Sequence, residues 1–215
     1  MSRNELETVS SYLFSAMDDV GVNYVKHSSL LPPSDMPWGN DIDVVIDNKS
    51  KKDFLTLMNK VNAEKSKKAY PAYMDVYVMQ AGGVSVPIDV LWGLVVEMPG
   101  GELWKLPMVS RNNRIKLSHG GYRPRASTIL IFLAARYSSL HKGVYDLSQG
   151  WSDKNKTKWR RYYKSFFREV EGESIKEILE LVDGYARSER TGVNNEEWLS
   201  RLRGLFEVSD ALDYL

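Results

Sequence analysis

The spacing of hydrophobic residues divides the chain into a mixed first half and a helical second half. Apolar positions recur every three or four residues from Leu6 to Val20, which predicts an amphipathic helix ending near Gly21. The same spacing predicts a second helix over 50–61, begun by a Ser50–Asp53 capping box. It predicts four more helices, over 129–140, 156–170, 174–187 and 194–208.

Short apolar runs in the first half are typical of β-strands. They cover residues 22–26, 41–46, 73–79, 84–92, 94–98 and 103–106, and Gly82-Gly83 predicts an antiparallel hairpin between two of them. We therefore predict an α+β (mixed α/β) domain over 1–124, followed by an all-helical domain over 125–215.

The amino-acid composition excludes several kinds of active-site chemistry. The 215 residues contain 29 Lys and Arg against 28 Asp and Glu, so a net charge of +1 gives no global argument for a nucleic-acid or anionic-membrane partner. The absence of cysteine excludes disulfides, thiolate nucleophiles and Cys-ligated zinc. Three widely spaced histidines make a His-rich metal site a poor hypothesis. Metal chemistry would use carboxylates, which favour Mg²⁺ or Mn²⁺.

Nothing in the pattern indicates a targeting segment or membrane insertion. Glu5 and Glu7 interrupt the region where a signal peptide would be apolar, and the apolar run over 129–135 is too short to span a bilayer. We expect a cytoplasmic protein.

Asp41-Ile42-Asp43 is the motif with the clearest chemical meaning. Residues two apart in a strand point to the same face, so both carboxylates project side by side. Alone, the pattern is better explained by a solvated strand end. Asp89 lies within a second apolar strand, where an unpaired carboxylate is unfavourable to bury. If the two strands are neighbours, three carboxylates converge and can hold two Mg²⁺ ions.

The order of these elements resembles the nucleotidyltransferase superfamily with the polymerase-beta-type catalytic core. The resemblance covers about residues 5 to 95 and rests on the stretch over 24–32 followed by Gly39-Asn40-Asp41-Ile42-Asp43. This stretch looks like that of the nucleotidyltransferase-like proteins of surface-polysaccharide gene clusters. The resemblance implies a nucleotidyltransferase-type mixed sheet flanked by helices.

The resemblance also implies roles for individual residues. Asp41 and Asp43 would hold the metals, and Asp89 would complete the metal site and orient or deprotonate an acceptor hydroxyl. The family's small-residue turn, which cradles the nucleotide's phosphates at a helix N-terminus, would be Ser28-Ser29. Ser28 stands where the family normally has Gly. The other nucleotide-binding candidates are Lys26 and, for base stacking, Trp38.

The implied activity is transfer of a nucleoside monophosphate from a nucleoside triphosphate such as ATP to a hydroxyl or phosphate acceptor. The sequence does not identify the acceptor. The candidates are a sugar of a surface polysaccharide, or a tRNA or protein as in toxin-type members of the superfamily. A nucleic-acid partner is not favoured. A catalytically degenerate binding module is a further alternative, supported by Ser28. A glycosyltransferase is disfavoured, since only forty residues precede Asp41.

Other polar residues have simpler interpretations. We expect Asp47 to be a turn residue, Asp75 an outward-facing strand residue and His27 a strand-end residue or a phosphate ligand. Five basic residues before the helical half could bind a triphosphate or form a solvated loop: Arg111, Arg114, Lys116, Arg123 and Arg125. The basic and aromatic stretch over 154–168 is best explained by one core-facing stripe and one solvated basic face.

Overall fold

The computed structural model describes residues 3–37, 39–98, 100–139, 151–187 and 195–210. By its contacts the chain divides into two compact units, Met1–Leu94 with Pro107–Pro124, and Val95–Leu106 with Arg125–Leu215. We predicted one boundary after residue 124. The segment Val95–Leu106 instead makes its contacts with the second unit, because one of its strands pairs with a strand near the end of the chain.

The first unit is built on a five-stranded mixed sheet. Its strands are β1 (Tyr24–Lys26), β2 (Ile42–Ile46), β3 (Glu64–Lys65), β4 (Met74–Ala81) and β5 (Val84–Trp92), in the order β1-β2-β5-β4-β3. β2 and β5 are parallel, and the other neighbouring pairs are antiparallel. Gly82 and Gly83 both have positive φ, as a two-residue hairpin turn requires, which confirms the predicted hairpin.

Helices α1 (Arg3–Asp19) and α2 (Lys51–Lys60) pack on one face of this sheet. α1 buries Leu6, Val9, Leu13 and Met17, and it ends at Asp19, two residues before Gly21, whose φ is 79°. The predicted capping box at α2 is wrong, because Ser50 makes no capping hydrogen bond and its Oγ accepts from the backbone N–H of Asn23. Asp47 instead caps the short 3-10 turn Asn48–Ser50 that precedes α2.

The second unit combines helices with a small sheet. The helices are α3 (Ala126–Ser139), α4 (Asp153–Phe166), α5 (Glu173–Ala186) and α6 (Asn195–Arg203). A hairpin of β6 (Leu94–Glu97) and β7 (Glu102–Leu106) is extended by β10 (Glu207–Asp210), which is antiparallel to β7. The last predicted helix therefore stops at Arg203, and its final residues form a strand because they pair with β7. The described chain thus has six helices and a mixed sheet, as the predicted fold class requires.

A two-stranded hairpin of β8 (Ile115–Lys116) and β9 (Tyr122–Arg123) completes the first unit. The cation-rich segment that contains it is largely structural. Arg114 donates to the carbonyl of Tyr24 and lies over the ring of Tyr122, while Arg111 donates to the carbonyl of Asp18 at the end of α1. Cations are favourable at a helix C-terminus, so Arg111 stabilises α1. Among the described helices, none combines the length and apolar character that crossing a membrane requires.

Candidate functional site: three carboxylates at two neighbouring parallel strands

The pairing of β2 with β5 brings the three predicted aspartates together. Asp43 and Asp89 are directly opposite each other in the parallel register, and Asp41 lies two residues before Asp43. Alternation along β2 points Ile42 and Val44 into the core against α1 and α2, so the aspartates occupy the opposite face. One carboxylate oxygen from each aspartate lies within 4.8 Å of the others, and all three residues are half-buried.

The chemistry of this donor set matches a hard divalent cation. Three like charges this close repel one another, and partial burial reduces the solvent that would screen them. A divalent cation relieves that repulsion, and oxygen is the ligand that Mg²⁺ and Mn²⁺ prefer. The residues present therefore fit a metal site.

Gly39 lies against the first of the three carboxylates. A Cβ placed on Gly39 would collide with Asp41 Oδ1, so the glycine is needed for the carboxylate to occupy its position. Gly39 was part of the motif that indicated the site. Its steric role became visible only when the path of the loop before β2 was known.

Two buried basic side chains accompany Asp43. His27 and Lys26 are each 3% exposed, and His27 Nε2 lies 3.6 Å from Asp43 Oδ1. Lys26 Nζ lies over the ring of Phe14, 5.3 Å from its centroid. Burial lowers the pKa of Lys26 to about 8, although the charge of Asp43 raises it. Both side chains place positive or titratable groups beside the carboxylates.

One cleft connects several of the predicted residues. It is lined by Ser10, Phe14, Lys26, Ser29, Asp41, Ile42 and Asp43. Ser10, from α1, was not among the candidates. Its signal was weak because a single small polar residue on an amphipathic helix is ordinary.

The Ser28-Ser29 turn has an unusual backbone. Ser29 has a φ of 53°, in the left-handed region that favours glycine. His119 lies against this turn, with Nε2 3.0 Å from the carbonyl oxygen of Ser29, and burial, reinforced by the charge of Lys26, lowers the pKa of His119. A neutral His119 can donate from Nε2 to that carbonyl. His119 was also missed, since its position on the β8–β9 connection is distant in sequence.

The expected helix N-terminus after the turn is absent from the described residues. Residues 30–37 form turns, with the backbone N–H groups of Asp35 and Met36 both donating to the carbonyl of Pro32. Three prolines in this stretch disfavour a helix, since proline lacks the amide hydrogen and restricts the residue before it. Trp38, the predicted base-stacking residue, lies outside the described residues.

Two other aspartates lie away from the three-carboxylate cluster. Asp47 accepts from Asn23 Nδ2 and caps the 3-10 turn, as a turn residue would. Asp75 pairs with Val90 and so lies on the opposite face of the sheet from Asp89, where it accepts from Trp92 Nε1 at 3.0 Å and pairs with Lys65 Nζ at 2.6 Å. Neither carboxylate contributes to the cluster.

We compared the fold of the chain with those of known proteins. No protein-family model matches the chain, and no curated protein matches it. The solution structure of the antibiotic-resistance factor ANT(2'')-Ia aligns with 87% of this chain and 94% of that chain, at 10% identity and a TM-score of 0.52. An antigenic nucleotidyltransferase-like protein from Paracoccidioides brasiliensis aligns with 94% of each chain, at 14% identity and a TM-score of 0.48. The similarity to ANT(2'')-Ia supports assignment of the fold: the chain has a nucleotidyltransferase-type fold.

Proposed function

We propose that this protein is a metal-dependent nucleotidyltransferase that moves a nucleoside monophosphate from a nucleoside triphosphate to an acceptor. The observation that carries the proposal is the convergence of Asp41, Asp43 and Asp89 on one face of a nucleotidyltransferase-type sheet. Fold alone does not imply activity, so the argument depends on the site.

Asp41 and Asp43 would hold the divalent cations, with Asp89 completing the set. When bound, Mg²⁺ or Mn²⁺ would neutralise charge that develops on the transferred phosphoryl group and on the departing pyrophosphate. In the reaction, the acceptor oxygen forms a bond to the α-phosphorus while the bond from that phosphorus to the bridging oxygen breaks, releasing pyrophosphate. Asp89 would accept the acceptor's proton.

The cleft beside Asp41 and Asp43 offers groups for the triphosphate. Lys26 supplies a positive charge whose burial strengthens its attraction for phosphate oxygens. Ser29 lines the same cleft, and the hydroxyls and backbone of the Ser28-Ser29 turn can donate hydrogen bonds. We assign the phosphates to these residues.

The acceptor is a finer part of the proposal. We favour a sugar hydroxyl, because the stretch over 24–46 resembles proteins of surface-polysaccharide clusters. A tRNA or protein acceptor is the alternative. ATP is the first donor to test, alongside the other three common nucleoside triphosphates.

The deciding experiment measures melting temperature with each nucleoside triphosphate in Mg²⁺, Mn²⁺ or EDTA. We expect at least one nucleotide to raise the melting temperature of the wild type when metal is present and not in EDTA, because ligands that bind only the folded state stabilise it. Asp41→Ala should remove this shift while the variant itself stays folded.

Asp19→Ala is the matched control, since Asp19 is an exposed aspartate of the same unit at the end of α1. It should keep the shift. If no nucleotide shifts the wild type at high concentration, the degenerate binding-module alternative is favoured. If Asp41→Ala and Asp43→Ala both unfold, the carboxylates are structural and the proposed function is wrong.

A further inference from the structure

The solvent-facing side of α4 carries a continuous row of cations. We define the basic stripe as Lys154, Lys158, Arg161, Lys164 and Arg168, the last lying in the 3-10 turn that follows the helix. Their spacing of four, three, three and four residues keeps them within about 60° of Arg161 on a helix of 100° per residue. Lys158 is half-exposed and the others are exposed.

The stripe contains no carboxylate. The remaining residues in the same sector are Thr157 and Ser165, both exposed and both bearing hydroxyls. Among the described residues, no carboxylate lies within ion-pair distance of Lys154, Lys158 or Lys164. The five positive charges exceed the net charge of +1 of the whole chain, so the rest of the protein is net acidic. The stripe is therefore a local concentration of positive charge.

The opposite side of α4 is fixed in the core of the second unit. Trp159 and Tyr162 are fully buried, and Trp159 Nε1 donates to Asp183 Oδ1 at 3.1 Å. A helix that lies in a membrane interface needs its apolar face free to enter the lipid, and the apolar face of α4 is already covered. The stripe thus offers cations without an apolar surface, which argues against a lipid partner.

We propose that the basic stripe binds the phosphate backbone of duplex RNA. The stripe extends over about 21 Å at 1.5 Å per residue, long enough to meet several phosphates along one groove edge. It presents cations and hydroxyls but no amide or aromatic side chain for reading bases. Duplex RNA is recognised mostly through phosphates and 2′-hydroxyls, and Thr157 and Ser165 can hydrogen-bond to both.

The inference is independent of the proposed nucleotidyl transfer, and its test does not depend on the three aspartates. Binding of the full chain to a labelled RNA duplex is measured by fluorescence anisotropy in EDTA, without nucleotide, across a series of salt concentrations. We expect the wild type to bind at low salt and to weaken steeply as salt rises, because phosphate binding releases counterions.

The test variant is Lys158→Glu with Lys164→Glu. It should bind about tenfold more weakly or worse, and the slope of log affinity against log salt should fall by roughly two, one for each lost phosphate contact. Lys52→Glu with Lys60→Glu is the control, because it changes two exposed lysines of α2 and alters net charge equally. It should bind like the wild type. If the reversal variant fails to fold, Lys158→Gln with Lys164→Gln replaces it.

Three results would overturn the inference. One is no RNA binding by the wild type at low salt, and another is equal weakening in the α2 control. The third is binding to phosphatidylserine vesicles or to a DNA duplex of the same sequence at least as tightly as to RNA, which would assign the stripe to a different partner.

Discussion

Carboxylates have different neighbours on the two faces of the five-stranded sheet. On one face Asp75 accepts from Trp92 and pairs with Lys65, so the protein supplies both a hydrogen-bond donor and a cation. On the other face three aspartates lie within 4.8 Å of one another. A carboxylate that serves folding is neutralised by its neighbours. Three carboxylates this close repel one another even with Lys26 and His27 beside Asp43, and a divalent cation relieves that repulsion. The difference supports the proposal that the second face carries the metal site.

The largest contrast should come from removing one carboxylate on each face. Asp43→Ala should lower Mn²⁺ affinity by about two orders of magnitude or more, because one of the three carboxylate ligands is lost. Asp75→Ala should keep Mn²⁺ affinity and lose roughly 1–3 kcal/mol of stability, since the indole N–H of Trp92 loses its acceptor. Titration calorimetry and urea denaturation measure the two effects. If Asp75→Ala lost Mn²⁺ affinity and Asp43→Ala kept it, the proposed difference between the two faces would be wrong.

A subtler change moves a carboxylate without removing it. Gly39→Ala should displace Asp41, because the added Cβ collides with Asp41 Oδ1. We expect a fall of about tenfold in Mn²⁺ affinity with little change in melting temperature. Gly204→Ala is the control, since its Cβ would meet nothing closer than a backbone oxygen at 3.4 Å in the second unit. Unchanged metal affinity in Gly39→Ala would show that the Asp41 carboxylate is not held in the observed place.

The lowered pKa of Lys26, beside Asp43, can be tested through the pH dependence of stability. Burial lowers the pKa of Lys26 from an ordinary value of 10.5 to about 8 in the folded chain. Between these two values the unfolded chain binds more protons, so the free energy of unfolding should rise with pH over this window. The full effect is about 3 kcal/mol, from 1.36 kcal/mol per pKa unit.

The measurement is urea denaturation of the wild type and Lys26→Met between pH 7 and pH 10.5. The difference between the two proteins cancels the titration of all other groups. Lys26→Met should be more stable at neutral pH, and its advantage should shrink as pH rises. A constant difference would show that Lys26 keeps its ordinary pKa and is not buried beside Phe14.

The smallest effect concerns the strained turn. Ser29→Gly should raise stability by about 1 kcal/mol, because a residue with a Cβ is disfavoured at a φ of 53°. Asn62 has the same φ, and Asn tolerates this region better, so Asn62→Gly should gain less. Thermal denaturation of both variants suffices. A loss of stability in Ser29→Gly would mean that the Ser29 side chain itself holds the turn.

Local patterns predicted most of the individual elements. The end of α1 just before Gly21, the hairpin at Gly82-Gly83 and the strand that follows Asp41 all depend on residues close in sequence. The predicted helix over 194–208 was wrong in its final part. Helical spacing could not report that Glu207–Asp210 has a partner in β7, about one hundred residues earlier.

The sequence by itself determined that this chain carries two aspartates on one strand face and a third in another apolar strand, because alternation along a strand is a local property. Only the tertiary structure decided that β2 and β5 are parallel neighbours in a register that sets Asp43 against Asp89. It also decided that Lys26 is buried near Asp43, that His119 contacts the Ser29 turn and that Asp75 lies on the other face. These facts depend on strand pairing and packing between distant segments, for which no local spacing carries a signal.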